Sequence, residues 1–321
     1  MDETISKVSI VLINWNNSSD TIECLESLKE ISYPDYNIFL LDNNSEDNSQ
    51  EEITKYLSTR AENNEFNYDV IDVVNLNKDY SNLDLLYIIN DVNSGFASGN
   101  NIVLKYIRDY VDLDYVLLLN NDTIVVSDFL DCLVKTASSM ENIGFTGIRT
   151  YYYDDPQVLQ TIGGSLIDSV HCESCAITCV SDKMSVCDFI TGSCMLVKRD
   201  VLDTVGFFDS KLFMYWEDAD WCIRGRNKGY ISVTSPDSMI YHKDGGSSSN
   251  DFRLYYHTRN RVYLMRKNSG NSRVYYHFLI YIVLYVFKTS FMEFVHGNFS
   301  TSKVFIKGLF DGLRLKKEEM G

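Results

Sequence analysis

"VSIVLINWNNSSDTIECLESL", residues 8–28, decides the fold. Its first six residues are almost all apolar, and the run stops at Asn14-Trp15-Asn16. An unbroken apolar run that short reads as a strand covered on both faces, as in a parallel sheet. A helix follows at once. Ser18 or Ser19 offers the cap, and Ile22, Leu25, Leu28 and Ile31 recur at helical spacing. The unit then repeats. "YNIFLLDNNS" (36–45) is a second buried strand ending in Asp42. "LDLLYIIN" (83–90) is a third, followed by the glycine-bearing turn "NSGFASGNN" (93–101) and the helix "NIVLKYIRDY". "DYVLLLNND" (114–122) is a fourth. Strands alternating with helices imply an α/β fold with a mostly parallel sheet and right-handed crossovers. Residues 50–82 read as a polar helix and an insertion rich in Asn, Asp and Glu.

The strand ends share a property. Each apolar run stops in a polar cluster: Asn14 to Asn16, Asp42 to Asn44, Asn93 to Asn101, and Asn120 to Asp122. Open α/β sheets bind ligands beyond the carboxyl ends of their strands. Four such clusters therefore point to one crevice.

Composition narrows the partners. A net charge of −16 over 321 residues argues against nucleic acid, whose phosphates need a basic surface. Basic islands at "RNRVYLMRK" and "LRLKK" could still meet a phosphorylated ligand or anionic lipid. The acidic, polar start "MDETISKVSI" does not read as a signal peptide, so a reducing cytoplasm and free thiols are expected for the eight cysteines. Four of these crowd into "HCESCAITCVSDKMSVC" (171–187). That is either a zinc-like spacing without its second pair or a loop with partly buried thiols.

The second half is less regular. "DFITGSCMLVKRDVLDTVGFFDSKLF" reads as strand, helix and turn. "YISVTSPDSMIYHKDGGSSS" reads as a strand pair running into a glycine-serine loop. From about residue 253 the chain is helical and aromatic. Phe278–Phe287 is apolar but short for a span, and Lys288 and Glu293 interrupt any longer window. Helices lying on a membrane surface are the expectation; a packed helical hairpin and a true span are the alternatives.

Several residues could do chemistry. Asp122 in Asn120-Asn121-Asp122 could hold a divalent cation, or it and Thr123 could cap the next segment. Asp42 could accept hydrogen bonds from a base or ribose, or close an Asx-turn. Gly95 and Gly99 would let the backbone approach a ligand, or only form a tight turn. His242 could be a metal ligand or a packing residue. In "FMYWEDADWCIRGRNKGY" (213–230), Asp220 and Arg224 are spaced as a helix ion pair. Glu217 and Asp218 sit among Tyr215, Trp216 and Trp221, a setting that suits a sugar-binding cleft better than a plain helix start.

Taken in order, these motifs resemble the family 2 inverting glycosyltransferases of the GT-A fold, rhamnosyltransferase-like branch. The likeness covers about residues 7–265, through "VSIVLINWNNSSDTIECLESL", "LLDNNSEDNS", "NSGFASGNN", "YVLLLNNDTIV", "FITGSCMLVKRDVLDTVGFFD", "YWEDADWCIRGRNKGY" and "YHKDGGSSS". It implies a GT-A domain over 1–265, with a nucleotide half to about 125 and an acceptor half to 265. Helices over 266–321 would follow as a C-terminal extension with possible membrane contact. It implies that Asn14, Asn16 and Asp42 hold the nucleoside, and that Asn93, Gly95, Phe96, Gly99, Asn100 and Asn121 line the donor pocket. Asp122 would match the last acid of the family's DxD metal motif, whose first acid is replaced here by Asn120. His242 would be a second ligand for manganese or magnesium. Asp218 would be the general base and Glu217 would orient a sugar. Trp216 and Trp221 would shape the acceptor side, though Trp221 may equally be core.

The implied reaction moves a sugar from dTDP-rhamnose or a UDP-sugar to a saccharide or lipid-linked saccharide, in the cytoplasm or on the inner face of its membrane. Single inversion needs one base within reach of the attacking hydroxyl. Arg259 and Arg261 could help neutralise the leaving diphosphate, bind lipid headgroups, or simply fold their helix. Two other readings compete. One is a non-catalytic module that binds sugar nucleotides or glycans, favoured by the missing acid. The other is a nucleotidyltransferase, disfavoured because "NWNNSSDT" lacks the glycines and lysine of a phosphate loop.

Overall fold

The computed structural model describes residues 5–63, 65–243 and 249–316. In chain order its elements are β1 (Val8–Asn14), α1 (Ser18–Lys29), β2 (Tyr36–Asp42), α2 (Ser49–Glu62), β3 (Tyr68–Asp72), β4 (Leu85–Ile89), α3 (Gly95–Tyr110) and β5 (Tyr115–Asn120). There follow β6 (Thr123–Val125), α4 (Phe129–Ser138), β7 (Ile143–Tyr152), β8 (Leu159–Thr161), β9 (Gly164–Asp168), β10 (Glu173–Ala176), β11 (Ser185–Cys187), β12 (Phe189–Ile190) and β13 (Cys194–Lys198). The chain continues with α5 (Arg199–Thr204), α6 (Glu217–Arg226), β14 (Ile231–His242), α7 (Asn250–Asn268), α8 (Ser272–Val295) and α9 (Phe299–Arg314).

The main sheet runs β11-β14-β7-β13-β5-β1-β2-β4-β3. From β5 to β3 every pairing is parallel, while β13 is antiparallel to both β5 and β7. The register pairs Asn14 with Asp42, Ile13 with Asn120, and Asp42 with Ile89. The polar strand ends thus share one edge, and the crevice expected there is real. Alternation along β1 sends Val8, Ile10 and Leu12 to one core, with α1, α2 and α4, and Val11 to the other, with α3. Burial on both faces is why this strand reads as continuously apolar.

Three local readings are corrected. The cap of α1 is Asn17, whose side chain accepts from Asp20 N at 3.4 Å, while Ser18 is drawn off to Glu52. The polar insertion hides an edge strand, β3, parallel to β4 and largely exposed. The supposed strand pair is one strand, β14, with an irregularity between Ser235 and Met239 that accommodates Pro236. Past it, β14 pairs with β6 and sets His242 opposite Thr123. The glycine-serine loop falls on residues 244–248, outside the described residues.

β9, β10 and β12 form a small second sheet beside the crevice. The cysteine-rich stretch lies in and around it, with Cys172 and Cys187 buried and Cys175 and Cys179 exposed. Among the described residues no three His, Cys, Asp or Glu side chains gather into a metal cluster. At the C-terminus, α9 packs along both α7 and α8. The expected division at residue 265 falls inside α7. Among the described residues, α8 alone is long and apolar enough to cross a membrane by length and composition.

Candidate active site

A cavity of about 780 Å³ opens over the carboxyl edge of the sheet. Ile13, Trp15, Asn43 and Asn93 line one end; Tyr215, Trp216, Phe252 and His257 line the other. Asp122, His242, Glu217 and Asp218 line the same cavity. The sequence-derived residues converge here in part.

At the nucleoside end, Asn14 and Asp42 are fully buried and do not line the cavity. Asp42 Oδ2 accepts from Asn14 Nδ2 (2.8 Å) and Ser45 Oγ (2.7 Å); its Oδ1 accepts from Ser45 N and Gln50 Nε2, each at 2.9 Å. Asn14 Oδ1 accepts from Thr21 Oγ1, which in turn accepts from Asn121 Nδ2, both at 2.8 Å. Asn16 has a left-handed φ of 54° and accepts from Glu46 N at 2.6 Å. This network locks the loop ends together. Asn43, the next residue, faces the cavity, and its amide bridges Asn93, Ser94 and the Gly95 carbonyl.

The "NSGFASGNN" turn is the first turn of α3. Gly95 has φ 78°, and a Cβ there would stand 2.5 Å from the Phe213 ring. Its close approach is thus to Phe213, and Gly95 and Phe96 also line the cavity. Gly99 packs under Asn43, and Asn100 donates to the Phe96 carbonyl at 2.9 Å, buried behind the wall.

Asp122 and His242 meet because β14 pairs with β6. Asp122 Oδ1 lies 3.1 Å from His242 Nε2, yet is buried with no aligned hydrogen bond among the described residues. His242 Nδ1 lies 3.1 Å from Gln160 Oε1, and Asn120 Nδ2 lies 3.4 Å from His242 Nε2. A carboxylate oxygen left without a donor beside an imidazole nitrogen suits a divalent cation that takes its other ligands from substrate and water. The set fits the expected group.

The two acids sit in the first turn of α6. Gly192 N donates to Asp218 Oδ2 at 3.1 Å and Ala219 N to Oδ1 at 2.7 Å. Burial pushes the Asp218 carboxyl up to about 6, against the pull of those two amides. Burial raises Glu217 well above the carboxylate range, and the charge of Asp218 raises it further. Glu217 Oε2 has no hydrogen-bond partner among the described residues. Of the pair, Glu217 is the one pushed toward its protonated form and Asp218 the one that ionises first.

Before the acids the chain makes a contorted turn. Phe213, Tyr215 and Trp216 have φ values of 57°, 69° and 74°. Each such residue costs about 1–3 kcal/mol and persists only where its surroundings over-determine it. Trp216 Nε1 donates to His257 Nδ1 at 3.2 Å, and the His257 ring stacks on Tyr215 at 4.5 Å. Burial, then the charges of Arg253 and Arg261, lower His257 to about 4, so it is neutral with its proton on Nε2. Trp221, left open between acceptor side and core, is in the core, edge-on to Phe145. Asp220 pairs with Arg224 at 2.8 Å as expected, and also with Lys267 of α7 at 2.9 Å. Of the open alternatives for Arg259 and Arg261, the geometry selects folding: Arg259 donates to the carbonyls of Lys211 and Leu212, Arg261 to those of His171 and Cys172.

Trp15, Asn43, Tyr215 and His257 were not among the sequence-derived site residues. Trp15 and Asn43 adjoin residues that were, so the strand-end clusters carried the signal. For His257 nothing local marks it.

A family model described as glycosyl transferase family 2 matches residues 9–206, and one described as glycosyl transferase family group 2 matches 115–302. A low-salt glycan biosynthesis hexosyltransferase of Haloferax volcanii is 24% identical over 191 residues, covering 56% of this chain and 59% of its own. The rhamnosyltransferase WbbL of Escherichia coli is 28% identical over 210 residues, covering 60% and 78%. The match thus spans less than two thirds of the archaeal relative. The mannosyltransferase of Pyrobaculum calidifontis, solved with GDP-Man and Mn2+, superposes with a TM-score of 0.59 at 12% identity, over 96% of this chain and 87% of that one. It shares the fold.

Proposed function

The chain belongs to glycosyl transferase family 2, and on that premise we propose that it is an inverting glycosyltransferase using a nucleoside-diphosphate sugar. The observation that carries this is the placement of Asp218 and the Asp122–His242 pair in one cavity. Asp218 accepts the proton of an acceptor hydroxyl; that oxygen bonds to the anomeric carbon as the bond to the diphosphate breaks on the opposite face. One carboxylate suffices for a single inversion, since a double displacement would need a second as nucleophile. Glu217, protonated, donates to a sugar oxygen. Asp122 and His242 would hold a manganese or magnesium ion, which when bound would offset the charge of the leaving diphosphate. Asn43, Asn93 and the Gly95–Phe96 turn bind the nucleotide and donor sugar, steadied by Asn14, Asp42 and Asn121 behind them. Trp216, Tyr215 and His257 form the acceptor side.

The donor is dTDP-rhamnose or a UDP-sugar. The rhamnosyltransferase relatives support the first. The acceptor is a saccharide or lipid-linked saccharide, met in the cytoplasm with α8 against the inner face of the membrane.

The test is thermal stabilisation by UDP, dTDP and GDP, each with manganese, magnesium or EDTA. One nucleoside diphosphate should stabilise selectively, by about 2.7 kcal/mol at a hundredfold excess over Kd. EDTA, Asp122→Ala or His242→Ala should each remove the effect. No stabilisation by any nucleotide would count against the donor site.

A further inference from the structure

The contorted turn ahead of the two acids is gripped by one face of α7. Asn260 is fully buried. Its Nδ2 lies 2.8 Å from the Leu212 carbonyl, 2.8 Å from that of Met214 and 2.7 Å from that of Tyr215. Two hydrogens serve three acceptors, so at least one bond is shared. The amide cannot flip, because Asn260 Oδ1 accepts from Arg259 Nε at 2.8 Å. Arg259 in turn donates to Lys211 and Leu212 and lies over the Tyr256 ring. Tyr256 stacks on Phe213 at 5.1 Å. Every contorted residue of the turn thus touches α7.

We infer that Asn260 is a positioning residue for the reaction: by bonding the carbonyls of Leu212, Met214 and Tyr215 it holds the turn that places Glu217 and Asp218 in the cavity. A buried amide meeting three carbonyls of one turn has no role in pairing elements of the sheet. Together with Arg259, it fixes the backbone of the turn through its carbonyls. The turn ends at Trp216, and the next residue is Glu217. Loosening the turn moves the start of α6, and with it Asp218 and the Ala219 amide, away from the Gly192 amide on the connection between β12 and β13. The nucleoside end of the cavity rests on β1, β2 and α3 and meets the turn at Phe213, where Gly95 packs and the Ala97 amide bonds the carbonyl, a carbonyl that Asn260 does not hold.

This rests on Asp218 being the base, so the experiment separates the two ideas. Asn260→Ala and Asn260→Ser, which keeps one donor, are compared with Asp218→Asn and wild type. Assays are steady-state transfer at varied pH, nucleoside-diphosphate binding and thermal unfolding. For Asn260→Ala, kcat should fall about 10²-fold, the loss typical of small misplacement, while nucleotide Kd and donor KM stay within about threefold, a much smaller share of the same misplacement. The acid limb of kcat/KM should move to lower pH as water reaches Asp218. The Gly192 and Ala219 amides meet Asp218, and the titratable groups that line the cavity with it are Glu217, Tyr215, His257, Asp122 and His242; none is altered in these variants. Asn260→Ser should fall between.

Unchanged kcat and pH profile in a folded Asn260 variant would overturn the inference, even with a lower Tm. So would a loss of nucleotide binding equal to the loss of kcat, or failure of both variants to fold, since either makes Asn260 a folding residue. Wild-type turnover by Asp218→Asn would instead overturn the assignment of the base.

Discussion

Two carboxyl groups buried side by side cannot both ionise cheaply, and here the division of roles has a cost in stability. Asp218 rises from 3.8 to about 6 on folding. Between those values the native state keeps a proton that the unfolded state has released. Stability therefore falls as pH rises through the window, and the whole cost, on the order of 1–3 kcal/mol, is present above about pH 6. Below about pH 3.8 it is absent. Asp218→Asn removes the charge and the cost together. The variant should unfold at a higher temperature than wild type at pH 8, with no gain at pH 3.5, and should lose transfer by about 10²–10⁴-fold. Its nucleotide binding should persist. The wild-type kcat/KM profile should fall on the acid side with an apparent midpoint near 6, which belongs to the Glu217–Asp218 pair. A midpoint near 4, or a less stable Asp218→Asn, would place the base elsewhere. The two acids were legible in the sequence because acids among aromatics fit a sugar cleft better than a helix start. His257 was not, since its partners Tyr215 and Trp216 lie some forty residues upstream and meet it only when α7 folds back. Asp42 was read ahead of Asn43 because a carboxylate at a strand end suggests a ligand, whereas Ser45 and Gln50 already satisfy it.

The helices α7 and α9 meet through glycines. A Cβ at Gly312 would lie 2.5 Å from the Arg259 carbonyl, and one at Gly308 would lie 3.0 Å from that of Tyr255. Both obstacles are backbone, so α9 must move off α7. Gly312→Ala should cost about 1–3 kcal/mol by overpacking, read as a drop in Tm. Because Arg259 and Asn260 lie on the stretch of α7 that α9 supports, kcat should fall with nucleotide binding kept. A stable Gly312→Ala with full kcat would show that α9 does not brace the turn. Elements differed in how plainly the sequence announced them. β1, β2, β4 and β5 are covered on both faces, so their apolar runs are unambiguous. β3 is an exposed edge, and nothing in its composition separates it from a loop. β14 carries Pro236 at an irregularity, and a proline inside an apolar run reads as a break between two strands. The β14–β6 pairing that brings His242 to Asp122 joins residues 115 to 119 positions apart, a register no local pattern encodes.

Charge is distributed unevenly over the molecule as a whole. Residues 250–316 hold eleven Lys and Arg against three Asp and Glu, while the full chain holds 29 against 45. The same segment also exposes large apolar side chains. On α8, Phe278, Ile282 and Val286 are buried, and Ser290 bonds to Ser302 of α9. The opposite face shows Ile280, Leu284 and Phe291, each more than 60% exposed, beside Phe287, Phe294 and Phe299. A helix apolar all round needs cover on every side, and α9 supplies only one. A second copy would bring the same positive charge to this face. An anionic bilayer surface offers both the apolar cover and the opposite charge, and it repels the acidic remainder, which supports the proposed placement of α8 against the membrane. Lys288, Lys303 and Lys307 are exposed and able to meet anionic headgroups. The protein should therefore sediment with anionic vesicles and not with neutral ones, and should be released as salt screens the basic contacts. A triple change of Ile280, Leu284 and Phe291 to serine should abolish sedimentation, yet leave transfer to a short soluble acceptor unchanged, because none of the three lines the cavity. Binding that resists both high salt and alkaline extraction would mean that α8 crosses the bilayer. Absence of binding to anionic vesicles would mean that this face is covered by something other than lipid.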